Sequence, residues 1–234
     1  MEENNIVNVS ETPYKLKFGQ KVYVFIKSIL DWLFALVCVV VFSPLWLVLF
    51  IAIKVDSKGP AIFSQERIGK NRKPFKCCKW RSMSVSAPHD TATRDLENAD
   101  AYITKVGHFI RKTSLDELGQ LFNVLTFKMS FIGYRPLLAK ETVADELRFQ
   151  KGVYKLKPGI TGWAQVHGRD LIDDRKKTEY DEYYLRNVSL WLDIKIFFLT
   201  VKKVFKEDDI HEGVITDEKS APTADEVAAT DNKE

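Results

Sequence analysis

Two adjacent carboxylates near the middle of the chain are the residues best suited to chemistry on a phosphate. Asp116 and Glu117 lie in the stretch RKTSLDEL, two and three positions after Ser114. Neighbouring helical residues point about 100° apart, so one carboxylate could attack a phosphorus atom while the other holds Mg²⁺. A simpler interpretation also fits. Ser114 and Glu117 have the spacing of a capping box, and Asp116 is an acid suited to a helix N-terminus.

Basic residues in segments rich in glycine and proline could bind phosphate groups. In GYRP, residues 133–136, the backbone is constrained on both sides of Arg135, whose forked donors match a phosphate. The segment KPGITGWAQVHGR, residues 157–169, has three glycines and ends at Arg169; it matches neither a Walker nor a dinucleotide fingerprint. Lys79 and Arg81 complete the set. The alternatives are a surface turn for GYRP and membrane-surface charges for Lys79 and Arg81.

Composition excludes several other kinds of site. The 234 residues carry a formal net charge of only +3, but basic residues crowd positions 54–81 and the chain is acidic from 207 onward. The basic stretch indicates contact with an anionic substrate or a membrane surface, and the acidic end indicates a solvated tail. The three cysteines and four histidines have no metal-binding or redox spacing. Few aromatic residues accompany the basic stretch, so we expect no nucleic-acid partner.

An uncharged apolar run occupies residues 32–53 and is interrupted only by Ser43 and Pro44. At about 1.5 Å per residue, a straight helix of this length would just cross a bilayer core of about 30 Å. Pro44 lacks an amide proton and predicts a kink, where the Ser43 hydroxyl could satisfy a freed backbone group. The run is too long for a signal peptide and lacks a cleavage site.

Two topologies are compatible with this run: a helix that spans the membrane, and one that bends at Ser43-Pro44 and returns to the same face. Lysines and arginines flank both ends. Because positive charge favours the cytosolic side, both ends would be cytosolic, which a single span does not provide.

The remaining pattern predicts a helix-dominated α+β fold. Residues 61–67 and 75–83 resemble two strands of a hairpin. Helices are expected over 99–111, 114–126, 145–154 and 179–185. An apolar stripe from Leu190 to Phe205 predicts a last helix, either packed in the core or lying on the membrane. The predicted organisation is a polar N-terminal segment (1–20), a membrane helix (21–58), a compact domain (59–211) and an acidic disordered tail (212–234).

The apolar run and six motifs, taken in order, resemble the bacterial sugar transferase family, the small monotopic phosphoglycosyl transferases of glycoconjugate assembly. The motifs are GPAIFSQERIG, KWRSM, TSLDELGQL, GYRP, KPGITGWAQVHGR and SLWLDIKI, and the resemblance covers roughly residues 21 to 206. It implies a re-entrant membrane helix followed by a cytosolic catalytic domain with a small β-hairpin and interfacial amphipathic helices.

The resemblance also implies roles for individual residues. Asp116 matches the nucleophile and Glu117 its Mg²⁺-binding partner. Lys79, Arg111 and Arg135 match basic residues around the diphosphate, and Arg169 and Asp181 fall in motifs near the nucleotide-sugar pocket. The chain departs from the family pattern at Gly119 and Tyr134, where proline is usual, and at His167, where asparagine is common.

The implied reaction is a double displacement at the cytosolic face of the bacterial cytoplasmic membrane. A sugar phosphate passes from a UDP-sugar to Asp116 and then to undecaprenyl phosphate, with Mg²⁺ balancing charge. The expected partners are these two substrates and membrane lipid, and the sequence leaves open a homo-oligomer. The main alternative is a non-catalytic membrane adaptor; loss of either carboxylate would have favoured it.

Overall fold

The computed structural model describes residues 13–88, 96, 98–168 and 172–206. Helices dominate this part of the chain. The α-helices are α1 (Phe18–Val41), α2 (Ser43–Asp56), α3 (Ala99–Tyr102), α4 (Lys105–Lys112), α5 (Leu121–Leu125), α6 (Thr142–Lys151), α7 (Trp163–Val166), α8 (Asp174–Asn187) and α9 (Leu190–Lys206). The strands are β1 (Ile62–Ile68), β2 (Pro74–Trp80), β3 (Ser130–Ile132) and β4 (Gly159–Thr161), and 3₁₀ turns cover Lys70–Arg72, Leu115–Gln120 and Val153–Lys155.

The apolar run forms two helices rather than one. Helix α1 ends at Val41, and α2 begins at Ser43 with Pro44 in its first turn. Pro44 has no amide proton to donate to the carbonyl of Val40, four residues earlier. The Ser43 hydroxyl donates to that carbonyl instead, at 2.8 Å. The predicted break and the predicted role of Ser43 are therefore confirmed. Of the described helices, only α1 has the length and apolar composition to cross a bilayer, with a mean hydropathy of 2.3.

Both arms of this helix pair contact the rest of the domain. On α1, the Trp32 indole nitrogen donates to the backbone oxygen of Leu125 at 3.0 Å. At the far end of α2, the Arg81 guanidinium donates to the backbone oxygens of Ser57 and Lys58, each at 2.8 Å. Burial of Ile53, 2% exposed, adds apolar packing at that end.

A β-hairpin follows α2 and carries the candidate site residue Lys79. β1 and β2 pair antiparallel, with Phe63 opposite Lys79, which confirms the predicted hairpin. Its turn places Asn71 and Arg72 in the left-handed region, at φ 56° and 60°. The Asn123 amide ties β2 to α5 because its oxygen accepts from the Cys78 backbone nitrogen and its nitrogen donates to the Lys76 carbonyl.

A second, smaller sheet was not predicted. β3 and β4 pair in parallel, Ser130 with Gly159 and Ile132 with Thr161. The main apolar core lies beside it and includes Tyr134, Tyr154, Leu185 and Ile196. Tyr14 and Leu16 pack against that core, so these two residues of the predicted polar N-terminal segment are ordered against the domain. The predicted disordered tail lies outside the described residues.

Two predicted helices differ from the structure. The helix expected over 99–111 is divided at Ile103, which forms a β-bridge with Met83, into α3 and α4. The helix expected over 114–126 is a 3₁₀ turn followed by the short α5. In both cases contacts distant in sequence override local helical propensity.

Helix α9 has two apolar faces with different environments. Leu192 and Ile196 are buried, whereas Trp191 is 80% exposed and Phe198 is 65% exposed. The predicted stripe at Leu190, Phe197, Phe198 and Val201 is the exposed face. Core packing is therefore wrong for these four residues, and the exposed face is suited to a membrane surface.

Candidate active site

Lys79 contacts both candidate carboxylates. It lies near the end of β2, and its ammonium nitrogen is 3.4 Å from Asp116 Oδ2 and 3.3 Å from Glu117 Oε1. The carboxylates come from the 3₁₀ turn Leu115–Gln120, which packs directly on β2. Asp116 is buried and Glu117 is half-buried. The structure thus brings together three of the predicted site residues.

The capping box predicted for Ser114 and Glu117 is wrong. Ser114 adopts the left-handed conformation, at φ 54°, and its side chain accepts no capping hydrogen bond. A residue at the N-cap of an α-helix normally has extended backbone angles. Ser114 does not, and the residues that follow it form a 3₁₀ turn rather than the first turn of an α-helix. Glu117 is directed to Lys79 rather than back to the Ser114 backbone.

A glycine sets the distance between this turn and the strand. A Cβ atom at Gly119 would lie 2.9 Å from the Lys79 Cα and 3.2 Å from the Cys78 carbonyl oxygen. Any larger residue would have to displace backbone atoms of β2. Gly119 therefore lets the carboxylate-bearing turn lie directly against the strand that carries Lys79.

The Lys79 side chain is held in its charged form. Burial alone would lower the pKa of its ammonium, but Asp116 and Glu117 outweigh this effect and raise the pKa above its ordinary value. Arg135 acts in the opposite direction, because its positive charge lies close enough to repel the ammonium. Lys79 is thus a cation at neutral pH, in a group that holds two cations and two carboxylates.

A narrow polar recess adjoins these residues. The recess has a volume of about 30 Å³, and its polar lining comes from the β-hairpin, the 3₁₀ turn, the GYRP segment and α7: Gln65, Arg67, Lys79, Glu117, Gln120, Arg135 and Gln165. The prediction missed Gln65, Arg67 and Gln120. The period of a strand could have indicated the first two, because alternate residues of β1 share one face and Phe63 pairs with Lys79.

A larger apolar cavity, of about 610 Å³, lies on the other side of Glu117. Its walls come from α1, α5, the region of β3 and β4, and α9, and include Phe34, Phe42, Leu121, Phe131, Phe197 and Val201. Glu117, Ile160 and Gln165 line both the cavity and the polar recess. The two spaces therefore meet at a candidate catalytic carboxylate.

Arg111 and Arg81 both contact the segment after β2 or the end of α2. The Arg111 guanidinium donates to the Ser82 hydroxyl at 2.8 Å, one residue beyond Arg81. Arg81 itself is buried against the carbonyls at the end of α2, so neither phosphate binding nor a membrane-surface charge describes its surroundings. Arg169 lies outside the described residues.

Asp181 forms a buried ion pair rather than lining the polar recess. Its Oδ2 lies 2.6 Å from Arg148 Nη2, and both side chains are 2% exposed. Burial raises the pKa of Asp181 to about 6, against the opposing effect of Arg148. At neutral pH the carboxylate is therefore charged and paired, and its charge is lost as the pH falls through about 6.

The carboxylate pair suits a hard divalent cation. Within the described residues, no three side chains of histidine, cysteine, aspartate or glutamate gather as a metal-binding group. Mg²⁺ commonly binds through one or two carboxylates together with substrate phosphates and waters. Glu117, at the edge of the recess, fits this pattern with oxygen ligands alone.

Comparison with known proteins supports the resemblance found in the sequence. The family model described as bacterial sugar transferase matches residues 22–207. The chain belongs to the bacterial sugar transferase family. The matched range contains the 3₁₀ turn, the hairpin and both cavities.

Curated relatives are 40–42% identical to this chain over the aligned residues. It is 42% identical over 190 residues to the UDP-N-acetylgalactosamine-undecaprenyl-phosphate N-acetylgalactosaminephosphotransferase of Aeromonas hydrophila, covering 78% of this chain and 44% of the relative. It is 42% identical over 186 residues to the UDP-glucose:undecaprenyl-phosphate glucose-1-phosphate transferase of Escherichia coli K12, covering 75% of this chain and 39% of the relative. It is 40% identical over 203 residues to the undecaprenyl-phosphate galactose phosphotransferase of Salmonella typhimurium, covering 79% of this chain and 41% of the relative. The chain thus spans about two fifths of the length of these relatives, and their names specify three different sugars.

Proposed function

We propose that this chain transfers a sugar phosphate from a UDP-sugar to undecaprenyl phosphate at the cytosolic face of the bacterial cytoplasmic membrane. The observation that carries the proposal is the position of Glu117 between a polar recess and an apolar cavity. A diphosphate requires the first environment and a polyprenyl chain requires the second. The names of the relatives, which specify UDP-sugars and undecaprenyl phosphate, support the same pair of substrates.

The first step places the donor diphosphate against Lys79 and Arg135. Their positive charges offset those of the phosphates, and the forked donors of Arg135 match phosphate oxygens. A carboxylate oxygen of Asp116 attacks the phosphorus that bears the sugar. A new bond forms between that phosphorus and the Asp116 oxygen, the bond from phosphorus to the bridging oxygen breaks, and UMP leaves with the electron pair.

The second step uses the acceptor from the apolar side. A phosphate oxygen of undecaprenyl phosphate attacks the same phosphorus, and the bond to Asp116 breaks. The products are undecaprenyl diphospho-sugar and a regenerated carboxylate. Because one phosphoanhydride replaces another, catalysis depends on positioning and charge neutralisation. Mg²⁺ bound at Glu117 would supply further positive charge to the diphosphate.

The two arms of the membrane helix favour re-entry over a span in this proposal. Trp32 on α1 and the end of α2 at Ser57 both contact the one catalytic domain. A hairpin that enters and leaves by the same face would hold that domain at the membrane, where the acceptor phosphate lies. The exposed apolar face of α9 would lie on the same surface.

Donor and acceptor assays test the proposed reaction. Purified protein in lipid nanodiscs is incubated with undecaprenyl phosphate, Mg²⁺ and each of a panel of UDP-sugars, and UMP release is measured. We expect steady turnover with at least one sugar. Without acceptor, at most about one UMP should be released per active site. The absence of UMP with every sugar would contradict the proposed function, and steady UMP release without acceptor would indicate a hydrolase.

Cysteine labelling tests the topology separately. Single cysteines replace Lys21 and Lys58 in a background in which Cys38, Cys77 and Cys78 are replaced. Both should resist an impermeant thiol reagent in intact cells and react after the cells are broken. Labelling of one site but not the other in intact cells would establish a spanning helix.

A further inference from the structure

Behind Arg135 lies an ion pair that the proposed chemistry does not use. Arg148 on α6 and Asp181 on α8 meet at 2.6 Å, and Arg148 is 1% exposed as a residue. Removing two charges from water costs free energy, and a protein with apolar side chains of similar size in their place is often equally stable or more stable. Packing α6 against α8 does not require a buried ion pair, so we looked for a further role in the contacts of Arg148.

Arg148 also makes a direct contact with the backbone of the GYRP segment. Its Nη1 donates to the backbone oxygen of Arg135 at 2.7 Å. Its guanidinium carbon lies 5.5 Å from the centre of the Tyr134 ring. One guanidinium therefore joins the Asp181 carboxylate to two consecutive residues of GYRP.

The same segment is held from the opposite side by β4. The Gly159 nitrogen donates to the Tyr134 oxygen at 2.9 Å. A Cβ atom at Gly133 would lie 2.4 Å from the Lys157 carbonyl oxygen. With the backbone fixed on both sides, the Arg135 side chain projects from a rigid base into the recess that it shares with Lys79 and Glu117.

We infer that Arg148, oriented by Asp181, is a positioning residue that fixes the Arg135 backbone so that its guanidinium meets the donor diphosphate. The inference rests on the proposed function. It gives Asp181 a role in the reaction without substrate contact.

A double-mutant cycle distinguishes positioning from a purely structural role. Arg148→Lys keeps the charge, but a single ammonium cannot reproduce the forked contacts to Asp181 and to the Arg135 oxygen. In the otherwise native protein it should lower kcat/KM for the UDP-sugar by about tenfold or more, since small displacements of a catalytic group are costly. In an Arg135→Ala background the same change should lower kcat/KM by less than about twofold, because the group that Arg148 positions is absent. Equal losses in both backgrounds would overturn the inference.

A second variant covers the case in which Arg148→Lys does not fold. Arg148→Met combined with Asp181→Leu removes both charges, and such apolar replacements commonly retain stability. Its melting temperature should be within a few degrees of the wild type, while kcat/KM should fall by about tenfold or more. A stable double variant with wild-type kcat/KM would show that the pair only supports the fold.

Arg72→Lys is the matched control. Arg72 lies in the turn of the β-hairpin and forms an ion pair, at 2.5 Å, with Asp145 on α6, the helix that also carries Arg148. The Arg72 side chain is 36% exposed. The same chemical change there should leave kcat/KM within about twofold of the wild type. A wild type that releases no UMP would contradict the proposed function itself, whereas an active wild type with equal losses in both backgrounds would contradict only the role of Arg148.

Discussion

Two clusters in the described part of the chain each have one lysine between two carboxylates, and their surroundings differ. Lys79 lies 3.4 and 3.3 Å from Asp116 and Glu117, with 27% of its side chain exposed. Lys27 lies 3.0 and 3.3 Å from Asp31 and Asp193, with 11% exposed. The same three charges therefore occur once beside the polar recess and once between α1 and α9.

Hydroxyl groups donate hydrogen bonds to both carboxylates of the Lys27 cluster. Asp193 accepts hydrogen bonds from Tyr23 and Tyr184, both at 2.6 Å, and Asp31 accepts one from Ser130. These contacts tie α1 to α9 and to β3. Surroundings rather than composition therefore distinguish the Lys27 cluster from the candidate catalytic cluster at Lys79. Four substitutions test this comparison.

Asp116→Asn should have the largest effect. The amide cannot form an acyl phosphate, so turnover should fall by more than about a thousandfold, in line with the loss of other enzymatic nucleophiles. Wild-type protein given donor alone should gain the mass of a sugar phosphate on the peptide containing Asp116, and the variant should not. A folded variant that transfers sugar phosphate at the wild-type rate would exclude the covalent mechanism.

Glu117→Gln should be the next most damaging. The nucleophile remains, but the proposed metal site loses its charge, and we expect a loss on the order of a hundredfold. Titration with Mg²⁺ should recover part of the rate, because a weakened site can be filled by mass action. Asp116→Asn, measured in parallel, should not respond to added Mg²⁺. An identical Mg²⁺ dependence for Glu117→Gln and wild type would place the metal elsewhere.

Arg135→Lys should lower turnover by more than about tenfold, because a point charge does not reproduce forked contacts with a phosphate. Steady-state kinetics with varied UDP-sugar provide the measurement, and Arg72→Lys serves as the control at a different ion pair. Unchanged kinetics would mean that the Arg135 side chain does not contact the diphosphate.

Asp193→Asn should have the smallest effect on activity and should instead lower stability. The tyrosine hydroxyls donate to different oxygens of Asp193, so the amide can accept from only one of them, and the charge beside Lys27 is lost. We expect the free energy of unfolding to fall by about 1–3 kcal/mol. The melting temperature should fall by about 2–4 °C for each kcal/mol. The rate per folded molecule should remain within about twofold of the wild type; a catalytic defect like that of Asp116→Asn would remove the distinction between the clusters.

The sequence predicted those parts of the fold that local chemistry determines. The break at Ser43-Pro44 follows from the missing amide proton of proline, and the β-hairpin follows from alternating residues around a turn. The pairing of β3 with β4 depends on backbone contacts between segments about 30 residues apart, each only three residues long. No local period reveals such a pairing.

The site was predicted unevenly for a similar reason. Motif resemblance identified Asp116, Glu117, Lys79 and Arg135, and the structure places them close to one another. The capping box was wrong because the spacing of Ser114 and Glu117 carries no information about a left-handed backbone. Asp181 was assigned to a substrate pocket because its motif cannot show that Arg148, 33 positions earlier, is its partner.

The close approach at Gly119 constrains how this sequence can change. The family pattern that the sequence resembles has proline at this position, yet here even a single added carbon would lie 2.9 Å from the backbone of Lys79. Substituting the residue typical of the family would therefore displace the acidic turn unless β2 moved first. The effect of that substitution depends on the strand beneath it, which makes the two segments an epistatic unit. A chimaera that takes only the turn from a relative should lose activity. A chimaera that takes the turn together with its strand should keep it.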